Sequence, residues 1–196
     1  IDAATTYLAI GVSVFEDTLG RYVIAEPKDK AKQVKLSGYT PDSTPPQISK
    51  SSLDMTEGTL SLSFTEAIDA TTFNISDIAI KNAAGDRKQL TGGTVKIAVD
   101  AQSAIITLDN DDDLNFLKGK RALAVDEASS IIEHSSALMA DVFEVDTVGT
   151  DVSMLDGDFD ADGKPPTLKT FSFNVDTATL VLTFDAKEPL GFSIAD

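Results

Sequence analysis

The sequence predicts an all-β protein, an antiparallel β-sandwich built in tandem units of about 120 residues with a short helical turn in each unit. Three observations lead to this prediction. Apolar residues alternate with polar ones over short segments, clusters of turn-forming residues separate these segments, and one segment recurs further along the chain.

The strand signal is clearest in two segments. Leu60, Leu62 and Phe64 alternate with serines, and Leu180, Leu182 and Phe184 alternate with Val181 and Thr183. A period of two residues is typical of a strand with one buried face. Shorter signals of the same kind occur at Ile78 and Ile80, at Val95, Ile97 and Val99, and at 105–108. Later core candidates are Ile132, Leu138, Val142 and Val145.

Turn chemistry separates the predicted strands. We interpret Ala84-Gly85-Asp86 and Thr91-Gly92-Gly93 as hairpin turns, since these residues tolerate a left-handed backbone. Leu114, Leu117 and Leu123, interspersed with basic residues, predict a short helical turn whose length Gly119 limits.

An internal repeat organises the chain. Residues 45–64 match residues 165–184 without a gap, at an offset of 165 − 45 = 120 residues, and both segments begin with Pro-Pro. Consecutive prolines stiffen the chain and cannot continue a sheet ladder. We therefore predict the end of one unit in 1–44, a complete immunoglobulin-like unit in 45–164 and the start of a third in 165–196.

The opening of the predicted complete unit resembles bacterial-type immunoglobulin-like repeats of large extracellular or cell-surface proteins. The resemblance lies in Asp42-Ser43-Thr44-Pro45-Pro46 and in the segments 58–66 and 68–73. Segments 6–10 and 113–118 are similar to repeats in surface proteins of algae and other protists. The resemblance implies an extracellular structural or adhesive role without common catalytic residues.

Composition restricts the function further. The chain has 16 basic and 32 acidic residues, hence a net charge of 16 − 32 = −16, with no Cys, no Trp and one His. Such a charge disfavours nucleic acid and anionic lipid as partners, and no apolar run is long enough to cross a bilayer. Thiolate chemistry and metal sites that need two histidines are excluded. We expect no enzymatic activity, and we expect His134 to be solvated on a loop. A carboxylate pair such as Asp54 and Glu66 is expected by chance among so many acidic residues.

Localisation and partners are expectations from this pattern. The chain has no initiator Met and no signal-peptide pattern, so we expect it to begin inside a longer precursor. The leading hypothesis is a structural module of a long extracellular filament, cell-surface appendage or adhesin, whose partners are neighbouring repeats or copies of itself. The alternative is an adhesion module that binds carbohydrate or protein.

Two candidate sites are chemical. Asp156, Asp158, Asp160 and Asp162 place four carboxylates at every second residue before the second Pro-Pro, in the pattern of the first half of a calcium loop. The twelfth loop position, counted from Asp158, is Lys169, which excludes an EF-hand. We predict Ca²⁺ binding there, against the alternative of a solvated acidic linker. Asn74-Ile75-Ser76 is a glycosylation sequon, and Asn74 is the predicted attachment site.

Overall fold

The computed structural model describes residues 2–108, 110–120, 122–154 and 158–184. The chain divides into two compact units, residues 1–44 and residues 45–196. The further boundary expected near residue 165 stays a prediction.

The first unit is a nested set of antiparallel contacts with little secondary structure. Strand β1 (Tyr7–Leu8) pairs with β2 (Lys32–Gln33). Isolated bridges join Ile10 to Glu26 and Glu16 to Tyr22 inside that pair. None of the described residues 2–44 is buried, so this unit has no apolar core of its own among them.

In the second unit, the described residues form eleven further strands in three sheets. They are β3 (Ile48–Asp54), β4 (Thr59–Phe64), β5 (Ile78–Lys81), β6 (Arg87–Gln89), β7 (Gly93–Ile97), β8 (Ser103–Leu108), β9 (Ile131–His134), β10 (Thr150–Val152), β11 (Phe159–Asp160), β12 (Leu168–Asn174) and β13 (Thr179–Phe184). The sheet orders are β10-β9-β5-β6, β11-β3-β4-β8-β7 and β12-β13. The all-β prediction is thereby confirmed, whereas the sandwich arrangement and the immunoglobulin-like topology stay predictions.

One hydrophobic cluster joins the four-stranded and the five-stranded sheet. Alternation along β4 buries Leu60, Leu62 and Phe64 and leaves the serines between them half-buried. Ile80 of β5 and Ile132 of β9 are fully buried in the same cluster. At about 25 cal/mol per Å² of apolar surface removed from water, each of these side chains contributes roughly 1.5–3 kcal/mol to folding.

The helical prediction is confirmed in position. Helix α1 (Asn115–Gly119) follows a π-helical turn at Asn110–Leu114 and ends at the predicted glycine. Leu114, Leu117 and Leu123 are all about 1% exposed and belong to the core cluster. The helix therefore packs the segment after β8 onto the core.

Four expectations are wrong in detail. The pair β11–β3 is parallel, whereas the other strand pairs among the described residues are antiparallel. Thr91-Gly92-Gly93 is not a hairpin turn, because β6 and β7 lie in different sheets. The segment instead connects the two sheets and lies close to β8. Gly93 has φ +136°, and a Cβ there would lie 2.4 Å from the carbonyl oxygen of Thr107. Val99 and Val142 are exposed because β7 has ended before the first and the second lies in a turn.

The hairpin β12–β13 has the same pairing as β3–β4. In β3–β4, Ile48 pairs with Phe64, the register shifts before Lys50, and Leu53 pairs with Leu60. In β12–β13 the equivalent pairs at an offset of 120 are Leu168–Phe184 and Phe173–Leu180, with the shift before Thr170. The sequence match thus extends to the same local backbone irregularity.

Candidate functional site

The predicted calcium segment lies along one edge of the five-stranded sheet. Strand β11 joins β3 because the backbone N–H groups of Leu53 and Met55 donate to the carbonyl oxygens of Asp158 and Asp160, both at 2.9 Å. Thr56 Oγ1 accepts from Gly163 N at 3.0 Å and donates to the Ala161 carbonyl at 3.1 Å. The acidic segment is therefore fixed against the end of β3 and the β3–β4 turn.

Two of the predicted ligands share one polar cavity. Asp158 and Asp160 line a cavity of about 300 Å³ together with Asp54. Hydroxyl groups from β3 and β4 complete its wall, at Ser52, Thr59 and Ser61. The arrangement could hold a hard cation or a polyhydroxyl ligand, since carboxylate and hydroxyl oxygens suit both.

Lysines already act as counter-ions for two of these aspartates. Lys50 Nζ lies 2.8 Å from Asp158 Oδ1, and the side chain of Asp158 is 11% exposed. Lys118 Nζ, whose side chain is 2% exposed, lies 3.1 Å from Asp162 Oδ2. A cation at this segment would compete with both ammonium groups, which lowers the affinity expected from the carboxylates alone.

The fourth predicted ligand, Asp156, lies outside the described residues. Asp113, in the acidic run at 109–113, is not available as a further ligand, because it is fully buried and accepts from Thr91 N at 2.8 Å and from Lys88 Nζ at 3.0 Å. Its oxygens therefore hold the crossing from β6 to β7, and the calcium site at 156–162 stays a prediction.

A lysine next to the cavity is tied to the same hairpin turn. Lys164 Nζ donates to Glu57, and this hydrogen bond raises the pKa of the Lys164 ammonium group. Lys164 thus adds a third ammonium group near the acidic segment, after Lys50 and Lys118.

Asn74 lies at the start of a short 3₁₀ turn (Ile75–Asp77) and is exposed. Its Oδ1 accepts from Ser76 N at 3.2 Å, and its Nδ2 donates to Asp77 Oδ2 at 2.6 Å. Solvent can therefore reach the predicted glycosylation site, although its amide nitrogen has a local partner.

His134 is not solvated as expected: it lies on β9 and is 4% exposed. Its Nδ1 lies 3.1 Å from the Ser135 carbonyl, while Nε2 is buried without a hydrogen-bond partner. Ser135 Oγ donates to Asp77 Oδ1 at 2.9 Å. A catalytic triad requires serine bonded to histidine and histidine bonded to the carboxylate, and these contacts follow a different pattern.

The structure does not bring the carboxylates of Asp54 and Glu66 together. Asp54 stands opposite Thr59 at the turn end of the β3–β4 hairpin, whereas Glu66 follows Phe64 at the opposite end. Glu66 instead has a carboxylate oxygen within 4.8 Å of one from Asp141, a residue that sequence analysis did not single out. Asp141 follows a run of apolar residues and precedes three exposed ones, so no motif marked it.

Comparison with known proteins gives no family. No family model and no curated protein matches the chain. Two solved structures are similar to it. The S-layer protein rSbsC is 18% identical with a TM-score of 0.43, over 66% of this chain and 15% of that one. The N-terminal part of the bacterial S-layer protein SbsC is 16% identical with a TM-score of 0.42, over 76% of this chain and 33% of that one.

The chain thus spans at most a third of either matched structure. Both likenesses are too distant to carry an argument about function. In the part of the chain that the structure describes, no helix has the length and apolarity needed to cross a bilayer.

Proposed function

We propose that the chain is a structural module of a tandem array located outside the cell or on its surface. The observation that carries this proposal is the hairpin β12–β13, which has the register of β3–β4 at an offset of 120 residues. In the proposal, β3–β4 opens one immunoglobulin-like sandwich unit, and β12–β13 opens the next.

The two hairpins differ in what covers them, and this difference supports the modular proposal. Leu53 and Leu60 are 1% and 0% exposed, whereas the equivalent Phe173 and Leu180 are 59% and 56% exposed. Phe171 on the same face is 68% exposed. Contiguous exposed apolar side chains of this size mark a surface that binds another protein surface.

The edges of the second hairpin also lack partners within the described residues. Strand β3 pairs with β11 and strand β4 pairs with β8, but β12 and β13 form a sheet of two strands. An unpaired edge next to an apolar face can accept further strands. We infer that the hairpin binds strands of a neighbouring repeat or of another copy.

Sedimentation velocity on the complete chain tests this proposal. We expect association that increases with protein concentration, and we expect the double substitution Phe171→Ser with Phe173→Ser to abolish it. Val181→Ser is the matched control: Val181 lies on the same hairpin but pairs with Ser172, on the face opposite to Phe171 and Phe173. Association that survives the double substitution, or that the control removes equally, would contradict the proposal.

A second candidate function rests on the polar cavity lined by Asp54, Asp158 and Asp160. Its hydroxyl and carboxylate groups suit hydrogen bonding to a carbohydrate, as in an adhesion module. Because the chain has no Trp, sugar stacking on an indole is excluded. Saturable binding to one glycan on an array, removed by Asp160→Asn, would favour this candidate, and no binding would eliminate it.

A further inference from the structure

Asp141 is a buried carboxylate whose two oxygens have different surroundings. The residue is 2% exposed and lies next to the segment that follows β4, where it forms an isolated antiparallel bridge with Ile68. A hydrogen bond from Asp69 N to the carbonyl of Ala140, at 2.9 Å, holds the two segments together. Because Ile68 is itself 1% exposed, the carboxylate is attached to a fixed part of the core.

One oxygen of Asp141 has a structural role. Oδ1 accepts from Phe143 N at 2.8 Å and from Val145 N at 2.9 Å. These bonds shape the turn that follows Asp141, as an aspartate often does by bonding to the backbone after it. This role needs only one acceptor atom, so it does not explain the second oxygen.

The second oxygen, Oδ2, is buried and has no hydrogen-bond partner. A buried oxygen of an ionised carboxylate that makes no bond is costly, because it has lost its hydration. The half-buried Glu66 has a carboxylate oxygen within 4.8 Å of one oxygen of the Asp141 carboxylate. Two like charges at this separation repel each other, and a cation bound between them would remove this repulsion and give Asp141 Oδ2 a partner.

We propose that Glu66 and Asp141 bind a divalent cation of the hard, oxygen-preferring class, with Ca²⁺ as the probe. Ca²⁺ accepts carboxylate, backbone and water oxygens at 2.3–2.6 Å in a flexible geometry, and it can therefore bridge two carboxylates a few ångströms apart. With only two carboxylates, the affinity falls in the weak range of extracellular modules, with a Kd on the order of 0.1–1 mM.

This site is distinct from the one predicted at Asp156, Asp158, Asp160 and Asp162. Lysine side chains lie beside two of those aspartates, whereas Asp141 Oδ2 has no bonded partner. The two sites respond to different substitutions. A calcium effect in the protein can therefore be assigned to one site or the other.

Thermal unfolding after removal of metal with a chelator tests the site, together with calorimetric titration of CaCl₂. A cation that binds only the folded chain raises the unfolding temperature by linkage, by about 3–6 °C at 10 mM Ca²⁺ for a Kd near 1 mM. We expect this rise in the wild type and its loss in both Asp141→Asn and Glu66→Gln. Glu144→Gln is the matched control, because it removes an exposed carboxylate from the same turn. The double substitution Asp158→Asn with Asp160→Asn serves as the control for the other site.

The chelated state gives a second measurement. Asparagine at position 141 keeps the Oδ1 acceptor and removes the charge, so Asp141→Asn should unfold at the same temperature as the wild type or higher in chelator. If that variant does not fold, Glu66→Gln decides alone.

Three results would overturn the proposal. The first is that Ca²⁺ does not change the unfolding temperature of the wild type. If acidification alone raises that temperature, the two carboxylates share a proton and do not bind a cation. The second is a response that Asp158→Asn with Asp160→Asn removes. The third is a full response in Asp141→Asn.

Discussion

The hairpins β3–β4 and β12–β13 show the same local structure in two environments. Both have one register and one irregularity, after Ile48 in the first and after Leu168 in the second. The first is covered by the four-stranded sheet through a common core, whereas all seven residues of β12 are exposed. Side-chain alternation and turn residues therefore determine the hairpin, and burial depends on which strands are present to cover it.

The largest expected difference between the hairpins is in the free energy of unfolding. Leu60→Ala should lower it by about 2–5 kcal/mol, because Leu60 is fully buried and its loss leaves a cavity. The equivalent Leu180→Ala should change it by less than about 0.5 kcal/mol, since Leu180 is 56% exposed. Urea unfolding of the complete chain measures both. Equal losses would mean that the second hairpin is as well packed as the first.

The two turns differ by a glycine, and this predicts a smaller effect. Gly58 has φ +68°, and a Cβ there would lie 2.6 Å from Leu114 Cδ2. Gly58→Ala should therefore cost about 1–2 kcal/mol from the left-handed backbone and the displaced leucine. Circular dichroism in a urea titration would show it, and an unchanged midpoint would contradict the steric argument.

The equivalent position in the second hairpin is Ala178, which has φ +49°. Ala178→Gly relieves a left-handed conformation worth about 1 kcal/mol, so local opening of β12–β13 should become about fivefold less frequent. Amide exchange in β13 reports this change, and faster exchange in the variant would contradict it. The free energy of global unfolding should stay unchanged in this variant.

The smallest expected effect is a pH dependence of the free energy of unfolding, which arises in the sheets that share the hydrophobic core. A hydrogen bond from Arg87 Nε, with added attraction to Lys81, lowers the pKa of Glu133 on β9. A carboxyl with a lowered folded-state pKa stabilises the fold above its unfolded pKa, about 4.5 for Glu, and this contribution disappears as the pH falls through the folded value. Because the pair is partly exposed and screened, the effect on the free energy of unfolding stays below about 1 kcal/mol.

Glu133→Gln should reduce the slope of unfolding free energy against pH below pH 4.5, and 1 M NaCl should reduce it in the wild type. Urea titrations at several pH values measure both slopes. A slope unchanged by either treatment would place the acid sensitivity in other carboxylates.

The sequence predicted those parts of the fold that depend on local pattern. Alternation at Leu60–Phe64 and at Leu180–Phe184 identified both hairpins, and Gly119 identified the end of the helix. It did not predict β11, because Phe159–Asp160 is a two-residue strand in an acidic segment that is held by backbone bonds to β3. Such pairing depends on which edge is free in three dimensions.

Burial of polar groups was equally hidden from sequence. His134 and Asp141 are buried because β9 and the turn after Ala140 pack on the core, not because of their own polarity. The acidic spacing at 158–162 indicated ligands but could not reveal Lys50 and Lys118, which come from distant segments. Ion pairs between distant segments can be identified only once the structure is known.

Native-state amide hydrogen exchange of the dilute chain tests most directly whether β3–β4 and β12–β13 share one local structure while only β3–β4 is packed into a core. We predict that amides of β4 exchange at rates set by global unfolding, while those of β13 exchange about 100-fold faster or more through local opening. We also predict that protection of β13 increases with protein concentration while that of β4 stays constant. Equal protection of β4 and β13 at all concentrations would contradict the account.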